Sequence, residues 1–208
     1  MRQLILKDLY IQKPMAYLFP LFFLLIMFFN LVILGTEYFF IIAITFSAIW
    51  LSIYSNFGVT SSDTLQKRLM ASLPVTRINV VQAKFVAALV WWGISFLFFT
   101  VIFVIIAIAT PVSFHLPSGY MFLISISALY MAVSIFYPLY FIFSYQIAAL
   151  STIVLVMAAV FGIRFFASNL PDLEITVPIF TLLAIAISLF MASLSYLGTI
   201  KIFNNKDL

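Results

Sequence analysis

The sequence predicts an all-α, polytopic integral membrane protein: a single transmembrane domain over residues 1–208 with six transmembrane helices, an N-terminal interfacial helix and a short helix between spans two and three. The chain is 66% hydrophobic and only 8% charged, with a mean hydropathy of +1.26, far from the balance of a soluble domain. Apolar runs reaching the ~20 residues of a membrane crossing recur along the whole length. Nine of the ten basic residues fall on one side of the alternating topology that these runs create.

The charged stretch 1–13 is followed by a span at about 15–35, longer than the core of a cleaved signal peptide, so it is read as a retained segment. A second span at 38–57 is separated from the first by "GTEY", which suits a tight antiparallel hairpin. The third, at about 84–110, stops at "TPVSFHLPSG", where two prolines and a glycine break helix. The 49 residues of 119–167 are too many for one crossing at ~1.5 Å per residue. They divide at "FSYQ" into spans 119–143 and 146–167, and the polar "SNLPDLEITV" precedes the last span at 178–200.

With the N-terminus inside, Arg2, Lys7, Lys13, Lys67, Arg68, Arg77, Lys84, Lys201 and Lys206 lie on the inner side, and only Arg164 lies outside. Five spans would move Lys201 and Lys206 outside, against the positive-inside rule. Both termini are therefore expected in the cytoplasm. Trp50, Trp91 and Trp92 sit near inner span ends, a placement that suits an aromatic belt or helix packing equally.

The insert at 61–77 interrupts this hydrocarbon with charge. In "DTLQKRLMASL", Leu65, Leu69 and Leu73 recur at i, i+4 and i+8 with Met70 beside them, while Asp63, Thr64, Lys67 and Arg68 take the other side. Asp63 can cap this short amphipathic helix, with Gln66 three residues on. Pro74 then interrupts, and Thr76 can cap the helix that becomes the third span. Such a helix either lies among lipid headgroups or docks by its leucines into a partner's groove, and spacing does not separate the two.

Several chemistries find no residues to carry them. The absence of cysteine removes disulfides and zinc–thiolate sites, and His115, the single histidine, has no ligand cluster around it. The basic excess follows the membrane pattern, which gives no reason to invoke nucleic acid. No span carries an acidic residue at its middle, against ion-coupled transport and intramembrane catalysis, and no Walker A sequence is present. Glu37 suits the first turn of the second span, while Asp172 and Glu174 near Arg164 read as loop solvation or a local ion pair. Ala158 and Gly162 have a small-x-x-x-small spacing, and Pro138 suggests a kink in the fourth span. With 25 phenylalanines, a pathway built from these spans suits amphipathic cargo better than ions or sugars.

Two separated motifs carry a family resemblance. Leu6, Lys7 and Asp8 near the start are followed by a hairpin, then by Ser72, Leu73, Pro74, Val75, Thr76 and Arg77, then by Ala83 and Lys84 opening the next span. In this order the chain resembles permease subunits of ABC-2 type transporters, in the small bacterial six-helix group that includes bacitracin-type and phenol-soluble-modulin-type peptide exporters. The likeness covers about the first 90 residues in motif and the rest in helix count. It departs after the second span, where "NFGVTSSD" replaces acidic and aromatic residues frequent in that group.

The resemblance implies that the insert is a coupling helix seated in a cleft of a separate cytoplasmic ABC ATPase, with Leu65, Arg68, Leu69, Leu73, Pro74 and Arg77 at the contact. Lys7 and Asp8 would support an N-terminal interfacial helix whose Ile5, Leu6, Leu9 and Tyr10 form the apolar stripe. It further implies a transport subunit of the cell membrane that is not an enzyme and has no cofactor of its own, with ATP and Mg in the ATPase. A second permease copy or a related permease would complete the pathway. A membrane anchor that recruits a cytoplasmic partner without transporting is the alternative.

Overall fold

In hydrocarbon no water pairs with backbone N–H and C=O groups, so a chain this apolar satisfies them within helices. The computed structural model follows that rule, and helix is the regular structure of the residues it describes, 4–6, 9, 16–18, 20–21, 36–57, 76–109, 117–143, 145–155 and 177–205. Four long helices are α1 (Thr36–Phe57), α2 (Arg77–Ala109), α3 (Gly119–Ile142) and α5 (Val177–Asn205). A shorter apolar helix, α4 (Tyr145–Leu155), lies between α3 and α5 in sequence. Among the described residues, Ile78–Ile108, Gly119–Ile142 and Pro178–Ile202 are long and apolar enough to cross a membrane, and Phe39–Tyr54 and Tyr145–Leu155 are shorter apolar helices.

Local chemistry sets the boundaries. Thr76 caps α2: the Asn79 N–H donates to its Oγ1 at 3.4 Å and the Val80 N–H to its carbonyl at 3.3 Å. The helix thus begins seven residues before the apolar run at Lys84 that marks the expected crossing. It ends at Ala109, two residues before Pro111, whose ring disfavours helix in the residue preceding it. Ser118, extended at φ −63° and ψ 152°, opens α3, and Met121 N–H donates to its carbonyl at 3.0 Å. Pro138 lies inside α3 and, having no N–H, leaves the Ser134 carbonyl without its helical donor. The helix nevertheless continues to Ile142 and stops where Phe143 turns extended, within the "FSYQ" tetrapeptide. Tyr145 then returns against Phe136, with ring centroids 6.4 Å apart.

Ring contacts fix the helix directions. Phe40 meets Phe103 and Phe122, Trp92 meets Phe122, and Phe85 meets Tyr137, so α2 runs opposite to α1 and α3. Phe85 also touches Tyr196 of α5, which puts Tyr137 and Tyr196 at one level. The α3–α5 contact is the most extensive between described helices. That extent fits the two running the same way: in opposite senses, with these tyrosines level, the first half of α5 would have no α3 beside it, yet Thr181 and Ser188 of that half are buried.

Helix α3 is the central element, with 44% of its most apolar window buried against 17% for α2 and for α5. The outer surfaces of α2 and α5 expose Leu97, Val101, Ile105, Leu182, Leu189 and Leu197, as helices facing lipid do. The buried side of α5 is built differently. Thr181, Ser188 and Ser195 recur at heptad spacing, with Thr199 one turn beyond, and on α3 Ser127 and Ser134 repeat at the same interval. Small hydroxyl residues let backbones approach closely, which accounts for the extent of that contact. The hydroxyls of Ser134, Ser195 and Thr199 are buried without a hydrogen-bond partner.

Packing accounts for Trp91 and Trp92 better than a lipid-water belt does. Trp91 is buried with Ala16, Leu51 and Ala87, and Trp92 stacks on Phe96 at 5.6 Å.

Candidate functional site

Two polar clusters interrupt the apolar interior, each joining three helices. In the first, the Trp92 indole N–H of α2 donates to Ser125 Oγ of α3 at 2.9 Å, and Ser125 Oγ lies 2.7 Å from Thr45 Oγ1 of α1. Thr45 directs its own hydroxyl proton to the Ile41 carbonyl at 2.7 Å, so Ser125 must donate to Thr45. The result is a one-way chain, Trp92 to Ser125 to Thr45 to Ile41, in which every proton has an acceptor. Phe40, Phe96 and Phe122 surround it in edge-on contacts at 5.5–6.4 Å.

The second cluster lies in the first turns of α2, directly after the insert. Gln82 Nε2 donates to the Tyr196 hydroxyl of α5 at 2.8 Å. Tyr137 of α3 donates its hydroxyl to the Lys84 carbonyl at 2.9 Å, and Tyr130 makes a longer bond, 3.4 Å, to the Phe85 carbonyl. Phe85 is wedged between Tyr137 and Tyr196, its ring edge-on to both at 5.1 and 6.0 Å. Lys84, counted in the sequence among inner surface cations, is buried. The start of α2 is thus clamped to α3 through backbone carbonyls and to α5 through a side-chain amide. Among the described residues no group of three or more His, Cys, Asp or Glu could hold a metal. The cluster's donors, acceptors and rings join the start of α2 to α3 and α5.

Comparison with protein families matches residues 3–204 to the family described as "ABC-2 family transporter protein". The chain belongs to this ABC-2 transporter family. Comparison with curated proteins and with solved structures finds no match. As an ABC-2 membrane subunit the chain is a non-catalytic permease component, of a kind that works with an ABC ATPase and lacks cofactors of its own. The match carries the ABC-2 likeness, seen in motif over about the first 90 residues, across most of the chain.

Of the residues that the sequence assigns to this ABC-2 subunit's coupling contact, Leu65, Arg68, Leu69, Leu73 and Pro74 lie outside the described residues, as do Lys7 and Asp8 of the N-terminal segment. Arg77 is described in its backbone, as the first residue of α2. His115, Ala158, Gly162, Arg164, Asp172 and Glu174 also lie outside the described residues. Sequence reasoning missed Gln82, Tyr130, Tyr137 and Tyr196 as a group. A signal for Gln82 was available: a polar amide just inside an apolar helix needs a partner, and the hydroxyl-bearing α3 and α5 offer one.

Proposed function

We propose that this ABC-2 subunit is the membrane half of an ATP-driven exporter that carries amphipathic or hydrophobic cargo, peptides among them, out of the cell. It crosses the membrane six times with both termini cytoplasmic. The common direction of α3 and α5 supports that count, since the intervening chain must then return once, and α4 begins the return. Nine of ten basic residues on one side support the orientation. Segment 61–77 is the coupling helix and its elbow, docking Leu65, Leu69 and Leu73 in a cleft of the ATPase with Arg68, Pro74 and Arg77 at its edge, and Lys7 and Asp8 steady the N-terminal helix beside it. Two permease copies, or this chain with a related one, line the pathway, and ATP binding moves the coupling helices as rigid bodies.

The observation that carries this reading, beyond family membership, is the position of the charged insert. It enters α2 through the Thr76 cap and leads within two turns into the clamp to α3 and α5. A membrane-surface helix has no need of that linkage, whereas a power input does. The test is co-purification in detergent with the cognate ABC ATPase, comparing wild type with a Leu69→Asp, Leu73→Asp double variant, and ATP-dependent uptake of an amphipathic peptide by inside-out vesicles. The variant is expected to insert normally, lose the ATPase and lose uptake. Equal binding by the variant, or no binding by the wild type, would assign the insert to the membrane surface and sink the coupling role.

A further inference from the structure

We infer that Asp8 and Lys84 form a buried ion pair that fixes the N-terminal helix to the start of α2, beside the point where segment 61–77 enters it.

Lys84 is 5% exposed, and an ammonium taken out of water needs an anion against it. At helical spacing along its own side of α2 stand Val80 and Val81 before it and Ala87, Ala88 and Trp91 after it, all buried. The N-terminal segment packs on the clusters that these residues build. Leu4 lies against the cluster containing Val80, Val81 and Ala88, and Ile5 and Leu9 against the one containing Ala87 and Trp91.

The phase of that packing selects Asp8. Leu6 is exposed while Leu4 is half-buried, so the packed face is not the Ile5, Leu6, Leu9 and Tyr10 stripe that the sequence suggests; it is turned toward Leu4. Residues 4–6 and 9 are helical. Asp8 itself lies outside the described residues, but in that helical register it is the i+4 neighbour of Leu4 and the i+3 neighbour of Ile5. It therefore shares their face, and Lys7 falls on the other.

The remaining acidic residues leave two competitors. Glu37 opens α1 at the end where Phe40 meets Phe103, far along α2 from Lys84. Asp172 and Glu174 precede α5, which begins about 28 Å before the Tyr196 ring that meets Phe85. Asp63 and Asp207 remain, and neither is bracketed in sequence, as Asp8 is, by residues packed on both clusters around Lys84. A buried pair of this kind contributes little net stability over an apolar pair of the same shape. What it selects is one phase of the N-terminal helix on α2.

The test compares Asp8→Asn, Lys84→Met and the double variant by SDS titration in mixed micelles. Asp8→Asn leaves a buried ammonium without its carboxylate and should shift the folding equilibrium by about a hundred-fold or more. The double variant buries neither charge, and should lose less than Asp8→Asn alone. Asp63→Asn and Asp207→Asn should each add to Lys84→Met without coupling. Additive losses for Asp8 and Lys84, or coupling of Lys84 to Asp63 or Asp207, overturn the inference.

Where a single variant fails to fold, the wild-type chain supplies the second readout. Dicyclohexylcarbodiimide, apolar enough to enter the micelle, adds to a carboxyl group, and an adjacent amine then displaces dicyclohexylurea to leave an amide. Mass spectrometry of the digested protein should find the Asp8 peptide joined to the Lys84 peptide. A link from Lys84 to another carboxyl, or a modified Asp8 with Lys84 unlinked, overturns the pair. The ATPase enters neither measurement, so the pair can fail while the coupling role of segment 61–77 stands, and the reverse.

Discussion

Replacing Ser125 by alanine tests whether the Trp92–Ser125–Thr45 chain holds three helices together. Ser125 is 1% exposed and its oxygen is bonded at 2.9 Å and 2.7 Å across two interfaces. Interhelical hydrogen bonds in membranes average about 0.6 kcal/mol and reach about 1.7, so losing two costs about 1.2 kcal/mol. The Trp92 indole N–H is also left without an acceptor in a setting that offers no water, adding about 1 kcal/mol. The sum, about 2 kcal/mol, is roughly a thirty-fold shift in the folding equilibrium. Thr45→Val removes only one interhelical bond, its other bond being to the Ile41 carbonyl of its own helix, and Ser125 can then turn its proton to a carbonyl four residues back, as Ser127 does to Leu123 at 2.8 Å. That change should cost about 0.6 kcal/mol. Reversible unfolding in mixed micelles, titrated with SDS and followed by tryptophan fluorescence, measures both. A Ser125→Ala variant as stable as wild type, or a Thr45→Val variant less stable than Ser125→Ala, would refute the reasoning.

The same substitution should have the opposite consequence where the hydroxyl has no partner. Ser134→Ala and Ser195→Ala remove buried unpaired oxygens and are expected to be neutral or stabilising by up to about 1 kcal/mol in the same titration, a destabilisation above that size counting against it. Phe40 is 6% exposed and its ring lies against Phe103, Phe96 and Phe122 at 4.8–6.4 Å. Phe40→Ala should cost about 3–5 kcal/mol, whereas Leu197→Ala on the lipid-facing side of α5 should stay within about 0.5, and similar losses at the two sites would deny that packing separates them.

Punctuation was the legible part of the sequence. Thr76 after Pro74, Pro111 after Ala109 and the polar tetrapeptide at Phe143 mark helix ends because turn and cap chemistry is local. Which way each helix faces was not legible. In a span that is apolar all round, periodicity carries no information about its buried side, and Leu129 and Leu197 look alike although one is central and the other faces lipid. The clamp was hidden for a further reason: Gln82 and Tyr196 are 114 residues apart, and no local rule pairs them. Lys84 shows the limit of charge counting, since a cation near a span end scores as inner surface whether its stem lies in headgroups or, as here, within the bundle. The family resemblance, carried by motifs rather than by faces, reached further than periodicity did.

The three-helix hydrogen-bond chain also bears on the order of biogenesis. Synthesis proceeds from the N-terminus, so α1 and α2 enter the bilayer before Ser125 of α3 exists. Thr45 waits without difficulty, its proton already held by the Ile41 carbonyl of its own helix. Trp92 has no such refuge, since an indole nitrogen cannot reach its own backbone in a helix and the surrounding hydrocarbon offers no acceptor. Arrival of α3 relieves it, and the chain of bonds closes in one step. A nascent chain stopped between Ala109 and Gly119 therefore carries an indole donor whose acceptor in the folded chain, Ser125, is not yet made.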